Sequence, residues 1–201
     1  MKNARYVPLE AGAMYHVYNR GNNSQPVFLN PCDYHSFLER WERFIWPVAE
    51  TFAFCLLENH FHAAIRIRDS VIRPDTGEMV PLQPVEIRAQ FQRFFTSFAK
   101  SQHLRNDTNG AVFKRRFQRS QILTEDHFKR IIAYILLNPQ KHRISGDSRI
   151  YPYSSYRFLD CRPPDFLAQD ELVRLFGGAD AIQTYLEDYQ SYYFLPKPPH
   201  A

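Results

Sequence analysis

Cysteine is scarce in this 201-residue sequence: Cys32, Cys55 and Cys161 are odd in number and far apart. That excludes a disulfide framework and a CxxC metal or redox motif, and it fits a reducing compartment. No apolar run is long enough to cross a bilayer, and the opening MKNARYVPLEAG has no stretch of signal-peptide length. A cytoplasmic protein with no membrane partner is expected. Internal repeats and long low-complexity segments are also missing, which removes solenoids and tract-like tails. What remains is 44% hydrophobic and 15% aromatic, enough to bury the core of one domain.

The net charge of +4 is unevenly distributed. Residues 1–83 carry 8 Lys and Arg against 9 Asp and Glu, a net of −1. Residues 84–145 carry 12 against 4, a net of +8, and residues 146–201 carry 5 against 8, a net of −3. A middle segment holding all of the positive excess points to a polyanion-binding face, although any one cluster also reads as a solvated helix face.

Hydrophobic period orders the elements. MYHVYNR alternates and reads as a first strand closed by GNNS. DYHSFLERWERFIW has a helical period with Asp33 as N-cap. TFAFCLL and HFHAAIRI form a hairpin around Glu58 and Asn59, and SVIRPDTGEMVPLQP reads as an exposed loop. VEIRAQFQRFFTSFAKSQH is a second amphipathic helix, VFKRRFQRSQIL a fourth strand, and TEDHFKRIIAYILLN a third helix capped by Thr124 and stopped by Pro139. The expected fold is α+β: a ferredoxin-like split βαββαβ antiparallel sheet with two helices on one face, followed by the third helix and a short helical C-terminal tail. The expected division is a domain over 1–145 and a tail over 146–201 that packs on it.

Two histidines stand one residue apart in LENHFHAAI. On a strand, His60 and His62 share a face and Phe61 takes the other, close enough for one metal ion; two ordinary strand histidines bonded to neighbours fit equally well. In the third helix, Tyr134 and Asn138 are four apart and share a face. An amide oxygen is a hard ligand, and a phenol beside a divalent cation is more readily a phenolate nucleophile. A packed tyrosine is the ordinary alternative.

Four segments in this order, YHVYNRGNNSQPVF, CLLENHFHAAI, VFKRRFQRSQI and YILLNPQKHRI with YPYSSYRF, carry a resemblance. Over about residues 12–160 the sequence resembles the single-tyrosine HUH transposases, in particular the REP-associated tyrosine transposases of bacteria. The resemblance implies that His60 and His62 are metal ligands and that Tyr134 is the nucleophile. Asn138 stands where insertion-sequence relatives place a glutamine ligand, and Glu58 where proline is common. It further implies Mg²⁺ or Mn²⁺ as cofactor, single-stranded or hairpin DNA as partner, cleavage through a 5′-phosphotyrosine, and a monomer or homodimer.

The candidate DNA contacts are Lys114, Arg115, Arg116 and Arg119 about the fourth strand, Lys129 and Arg130 in the third helix, and Lys141 and Arg143 beyond it. Asn19, Arg20 and Asn22 join them, the asparagines being equally at home in a turn. Phe113 and Phe117 interleave with the basic residues and read as core on one strand face, with base stacking as the alternative. A binding module that grips hairpin DNA or RNA without cutting is the rival function.

Overall fold

Alternation along the chain makes four strands that pair edge to edge. They are β1 (Met14–Arg20), β2 (Ala49–Leu57), β3 (His60–Ile67) and β6 (Gln118–Ile122). The sheet order is β2-β3-β1-β6 with every pairing antiparallel, the ferredoxin-like arrangement expected from the element order. The computed structural model describes residues 7–73 and 75–194; residues 1–6, Pro74 and residues 195–201 lie outside the described residues.

Each face of the sheet has its own helical layer. On one face, Tyr15 and Val17 of β1 and Phe61, Ala63 and Ile65 of β3 pack beneath α1 (Pro31–Phe44) and α2 (Pro84–Asn106), through Phe37, Trp41, Phe91, Phe94 and Phe98. On the other, Cys55, Leu57 and Ala64 lie beneath Phe128, Ile132, Ile135 and Leu136 of α3 (Glu125–Leu136). The same layer takes in Leu172 and Phe176 of α5 (Gln169–Phe176), and Ile182 and Leu186 of α6 (Ala179–Phe194).

Chain after residue 145 also covers the outer edge of β2. Leu56 N donates to Tyr153 O at 2.9 Å, Phe54 N to Ser155 Oγ at 2.9 Å, and Tyr151 Oη to Leu56 O at 2.8 Å. An edge strand left bare is a template for unwanted pairing, and these bonds close it. Arg66 of β3 adds a polar clasp, reaching Glu50 on β2 and Glu171 on α5.

Several local expectations change. Asp33 is the third residue of α1, because Pro31 fills the first turn and Asn30 is the N-cap. The buried Asp33 carboxylate accepts from Leu29 N at 2.8 Å and pairs with Arg105 at 3.1 Å. The segment expected as a loop contains a small antiparallel pair, β4 (Ser70–Ile72) and β5 (Met79–Pro81). The fourth strand is shorter than its alternation suggests: residues 112–117 are irregular, with only a single bridge from Phe113 to Gly21. Gly21 is required by its own turn, where an added Cβ would lie 2.0 Å from Gln25 O.

α3 ends ahead of Pro139, as expected, but the chain turns at once into a further short helix. The helix ends at Leu136, the backbone flattens at Leu137, and Pro139 enters the first turn of α4 (Asn138–Lys141), where no N–H is needed. Tyr134 and Asn138 therefore stand on consecutive helices.

Phe61 is fully buried between the two histidines and packs on Phe37, Trp41 and Phe113. Phe61→Ala is expected to cost about 3–5 kcal/mol of stability. Urea unfolding measures it, and a loss below about 1 kcal/mol would contradict this packing account.

Candidate functional site

The β1–β3 register brings an imidazole cluster to the α3 face. Arg20 is paired with His60, Tyr18 with His62, and His16 with Ala64. Since Tyr15 and Val17 point to the α1–α2 core, His16, Tyr18 and Arg20 take the same face as His60 and His62. The His60 and His62 ring centroids are 5.2 Å apart.

Each histidine is oriented by a neighbour. His62 Nδ1 lies 2.9 Å from His16 Nε2, and His60 Nδ1 lies 2.6 Å from Asn59 Oδ1. With the hydrogen on Nδ1 in both, each keeps an Nε2 lone pair for a ligand. Burial holds these rings neutral. It lowers His16 to about 4, with His127 adding to the shift. It lowers His60 to about 4 as well, helped by His142 and Arg20 and opposed by Asn138. His62 is driven well below its ordinary value by burial and by His16 and His60. Neutral imidazole is the ligand form.

The Thr124 cap, whose hydroxyl accepts from His127 N at 3.1 Å, starts α3 so that Tyr134 reaches this cluster. The half-buried Tyr134 ring stands edge-on to His62 at 5.2 Å and to His16 at 5.8 Å. Lys141 Nζ lies 4.2 Å from its centroid. Asn138 is fully buried; its amide nitrogen donates to Tyr134 O at 3.2 Å, and its Oδ1 has no hydrogen-bond partner among the described residues. Among those residues no three His, Cys, Asp or Glu side chains converge as a metal cluster. The side chains that could hold a cation are instead two neutral imidazoles and one amide oxygen, and an orphaned buried oxygen of this kind fits that use.

Tyr134, His60, His62, His142, Tyr18 and Arg20 line a cavity of roughly 330 Å³. Asn19 and Lys114 line it too, and they also line a larger groove of roughly 880 Å³ between α2 and residues 110–119. Lys114, Arg115 and Arg116 are all exposed on that groove, because they lie off the strand where alternation would have split them. Arg88, Lys100 and His103 of α2, which the sequence reading passed over, rim its other side. Phe113 is core, and half-buried Phe117 stacks on Phe91 at 5.0 Å along the floor.

Other candidates are engaged elsewhere. Asn19 is buried, its amide donating to Lys114 O at 3.2 Å and its oxygen accepting from Arg20 N, so it joins β1 to the basic segment. Arg119 donates to Val7 O and covers the Phe117 ring at 4.9 Å. Lys129 pairs with Glu125 at 2.6 Å and lies against Phe176, away from the cavity. Arg130 is exposed on α3, and Lys141 and Arg143 rim a separate cavity beside α6. Asn22 N donates to Val112 O in the turn. Glu58 is exposed, and its carbonyl accepts from Val27 and Phe28, so its carboxylate faces solvent.

His16 and His142 are the site residues that sequence reasoning missed. Strand alternation placed His16 opposite Tyr15 and Val17, but only the β1–β3 register sets it on His62. His142 follows α4 and stands 5.0 Å from His60, a position that follows from the Leu137 bend.

No protein-family model and no curated protein sequence matches the chain. Among solved structures, a REP-associated tyrosine transposase bound to a REP hairpin is similar: it is 16% identical, with 78% of this chain and 84% of that chain covered, at a TM-score of 0.54. The likeness is one of fold. Among the described residues no helix is long and apolar enough to cross a membrane.

The three depressed imidazoles give a pH signature. The unfolded chain binds more protons than the folded one between about pH 6.5 and about pH 4, so stability is full above that window and falls as pH drops through it. Thermal melts of protein in EDTA are expected to show a falling Tm across this range. A Tm that is flat there, or that rises on acidification, would contradict neutral buried histidines.

Proposed function

We propose that the chain is a metal-dependent DNA nicking and joining enzyme of the single-tyrosine HUH type, acting on single strands beside hairpins. The observation that carries the reading is the Tyr134 ring edge-on to His62 at 5.2 Å, in a cavity that also holds His60, Arg20 and Lys114. Tyr134 Oη attacks the scissile phosphorus and the bond to the 3′ oxygen breaks, which leaves a 5′-phosphotyrosine and a free 3′-hydroxyl. The phenol proton is lost to solvent and the departing oxygen takes one up. Attack by a 3′-hydroxyl on the phosphotyrosine reverses the step, so joining needs no nucleotide cofactor.

His60, His62 and Asn138 would hold Mg²⁺ or Mn²⁺, which when bound polarises the scissile phosphate and offsets the charge that builds on it. His16 and Asn59 act through the two ligands, fixing tautomer and ring orientation. Lys141 places a positive charge beside the attacking ring. The groove along α2 supplies a basic bed for the hairpin stem, and Lys114 joins it to the cavity. The similar transposase was solved bound to a REP hairpin, so a hairpin is the substrate class to test. One chain provides Tyr134 and both histidines to one cavity, which supports a monomer cutting in cis.

The test is cleavage of a labelled hairpin oligonucleotide with Mg²⁺ or Mn²⁺ on a denaturing gel. Wild type is expected to cut; His60→Ala, His62→Ala and Tyr134→Phe are expected to give no product while still binding the DNA. His16→Phe, which keeps the packing and loses the orienting nitrogen, is expected to cut about 10–100-fold more slowly. Cleavage persisting in Tyr134→Phe would overturn the mechanism, and binding by wild type with no cleavage would favour the rival, a module that grips hairpins without cutting.

A further inference from the structure

Lys141 has a second side. Its ammonium covers the Tyr134 ring, and the residue also lines a cavity of roughly 320 Å³ with Gln140, Arg143, Tyr189 and Tyr193. The two tyrosines come from α6, one helical turn apart, with ring centroids 4.4 Å from each other and 31° between planes. Tyr193 is 54% exposed. Burial, Tyr193 and Tyr134 push the Tyr189 hydroxyl up to about 12, so the ring is neutral.

Arg143 is unusual in its backbone. Its φ of 57° is left-handed, a conformation an L side chain adopts at a cost and one that glycine or asparagine fills more easily after a helix. Its N–H donates to Gln140 O at 2.9 Å, which closes the chain after α4. Unlike Arg66 or Arg105, exposed Arg143 makes no ion pair among the described residues.

We propose that this cavity is a nucleotide-binding subsite for the single strand that flanks the scissile phosphate. The proposal rests on the reading of Tyr134 as the nucleophile. Two cations and a pair of neutral aromatic rings match the two parts of a nucleotide: Lys141 and Arg143 take phosphate oxygens, and a base stacks on the exposed Tyr193 ring supported by Tyr189. Lys141 joins the subsite to Tyr134, so a strand held at the nucleophile continues here into the adjacent nucleotide. Stacking accepts any base, and the subsite therefore holds and orders the strand without selecting its sequence.

The experiment uses the full chain carrying Tyr134→Phe, which prevents cutting, and fluorescence anisotropy with two oligonucleotides. One is a bare hairpin and the other the same hairpin with a short single-stranded extension. The parent protein is expected to bind the extended form more tightly. Adding Tyr193→Ala or Arg143→Gln is expected to weaken that binding about fivefold to tenfold and leave the bare hairpin unaffected, while Tyr193→Phe retains the affinity. Variants that bind the extended hairpin as tightly as the parent, or that weaken both forms equally, overturn the subsite and leave the hairpin reading standing. Failure of the parent to bind either form overturns both.

Discussion

The candidate site depends on the antiparallel register between β1 and β3. That pairing sets Tyr18 opposite His62 and Arg20 opposite His60, and it brings His16 Nε2 to 2.9 Å from His62 Nδ1. A slip of one residue would turn His60 and His62 toward the α1–α2 core and expose Phe61 in their place. The register is held by what lies beneath it: Tyr15, Val17, Phe61, Ala63 and Ile65 are buried in one apolar cluster with the aromatic residues of α1 and α2. Burying that face is worth more than any polar contact at the site, and it fixes the opposite face as a consequence.

Packing on the second face decides how near Tyr134 comes. Ala64 is a small residue two places beyond His62, and α3 lies over it through Ile132, Ile135 and Leu136. The same residues that seat α3 exclude water from His16 and His62, which keeps the rings neutral and able to donate lone pairs. Burial of a polar cluster is unfavourable unless its members are paired. Here His16 pairs with His62 and Asn59 with His60, while Asn138 Oδ1 is left over.

Much of this was legible in the sequence. Alternation gave β1, β2 and β3 and the shared face of His60 and His62, and the spacing of apolar residues gave α1, α2 and α3. What could not be read was long-range. The His16–His62 contact spans 46 positions and depends on strand register, and Asn19 reads as a turn residue until Lys114 O is brought to it. The basic run alternates well enough to suggest a longer strand. Phe113 enters the core there and pairs only with Gly21, so Lys114, Arg115 and Arg116 leave the ladder and line the groove together. Pro139 reads only as a stop; α3 does end ahead of it, but at the first turn of α4 it also continues the path, carrying Lys141 to the Tyr134 ring, His142 to His60 and Arg143 to the cavity beside α6.

The central claim is that one hydroxyl, on Tyr134, forms a covalent bond to DNA. The most direct measurement is mass spectrometry of peptides recovered after incubating wild-type protein with a hairpin oligonucleotide and Mg²⁺ or Mn²⁺. The account predicts a single nucleotide adduct on the peptide that contains Tyr134. An adduct on Tyr18, Tyr151, Tyr153 or Tyr156, or cleavage of the DNA with no protein adduct, would contradict it.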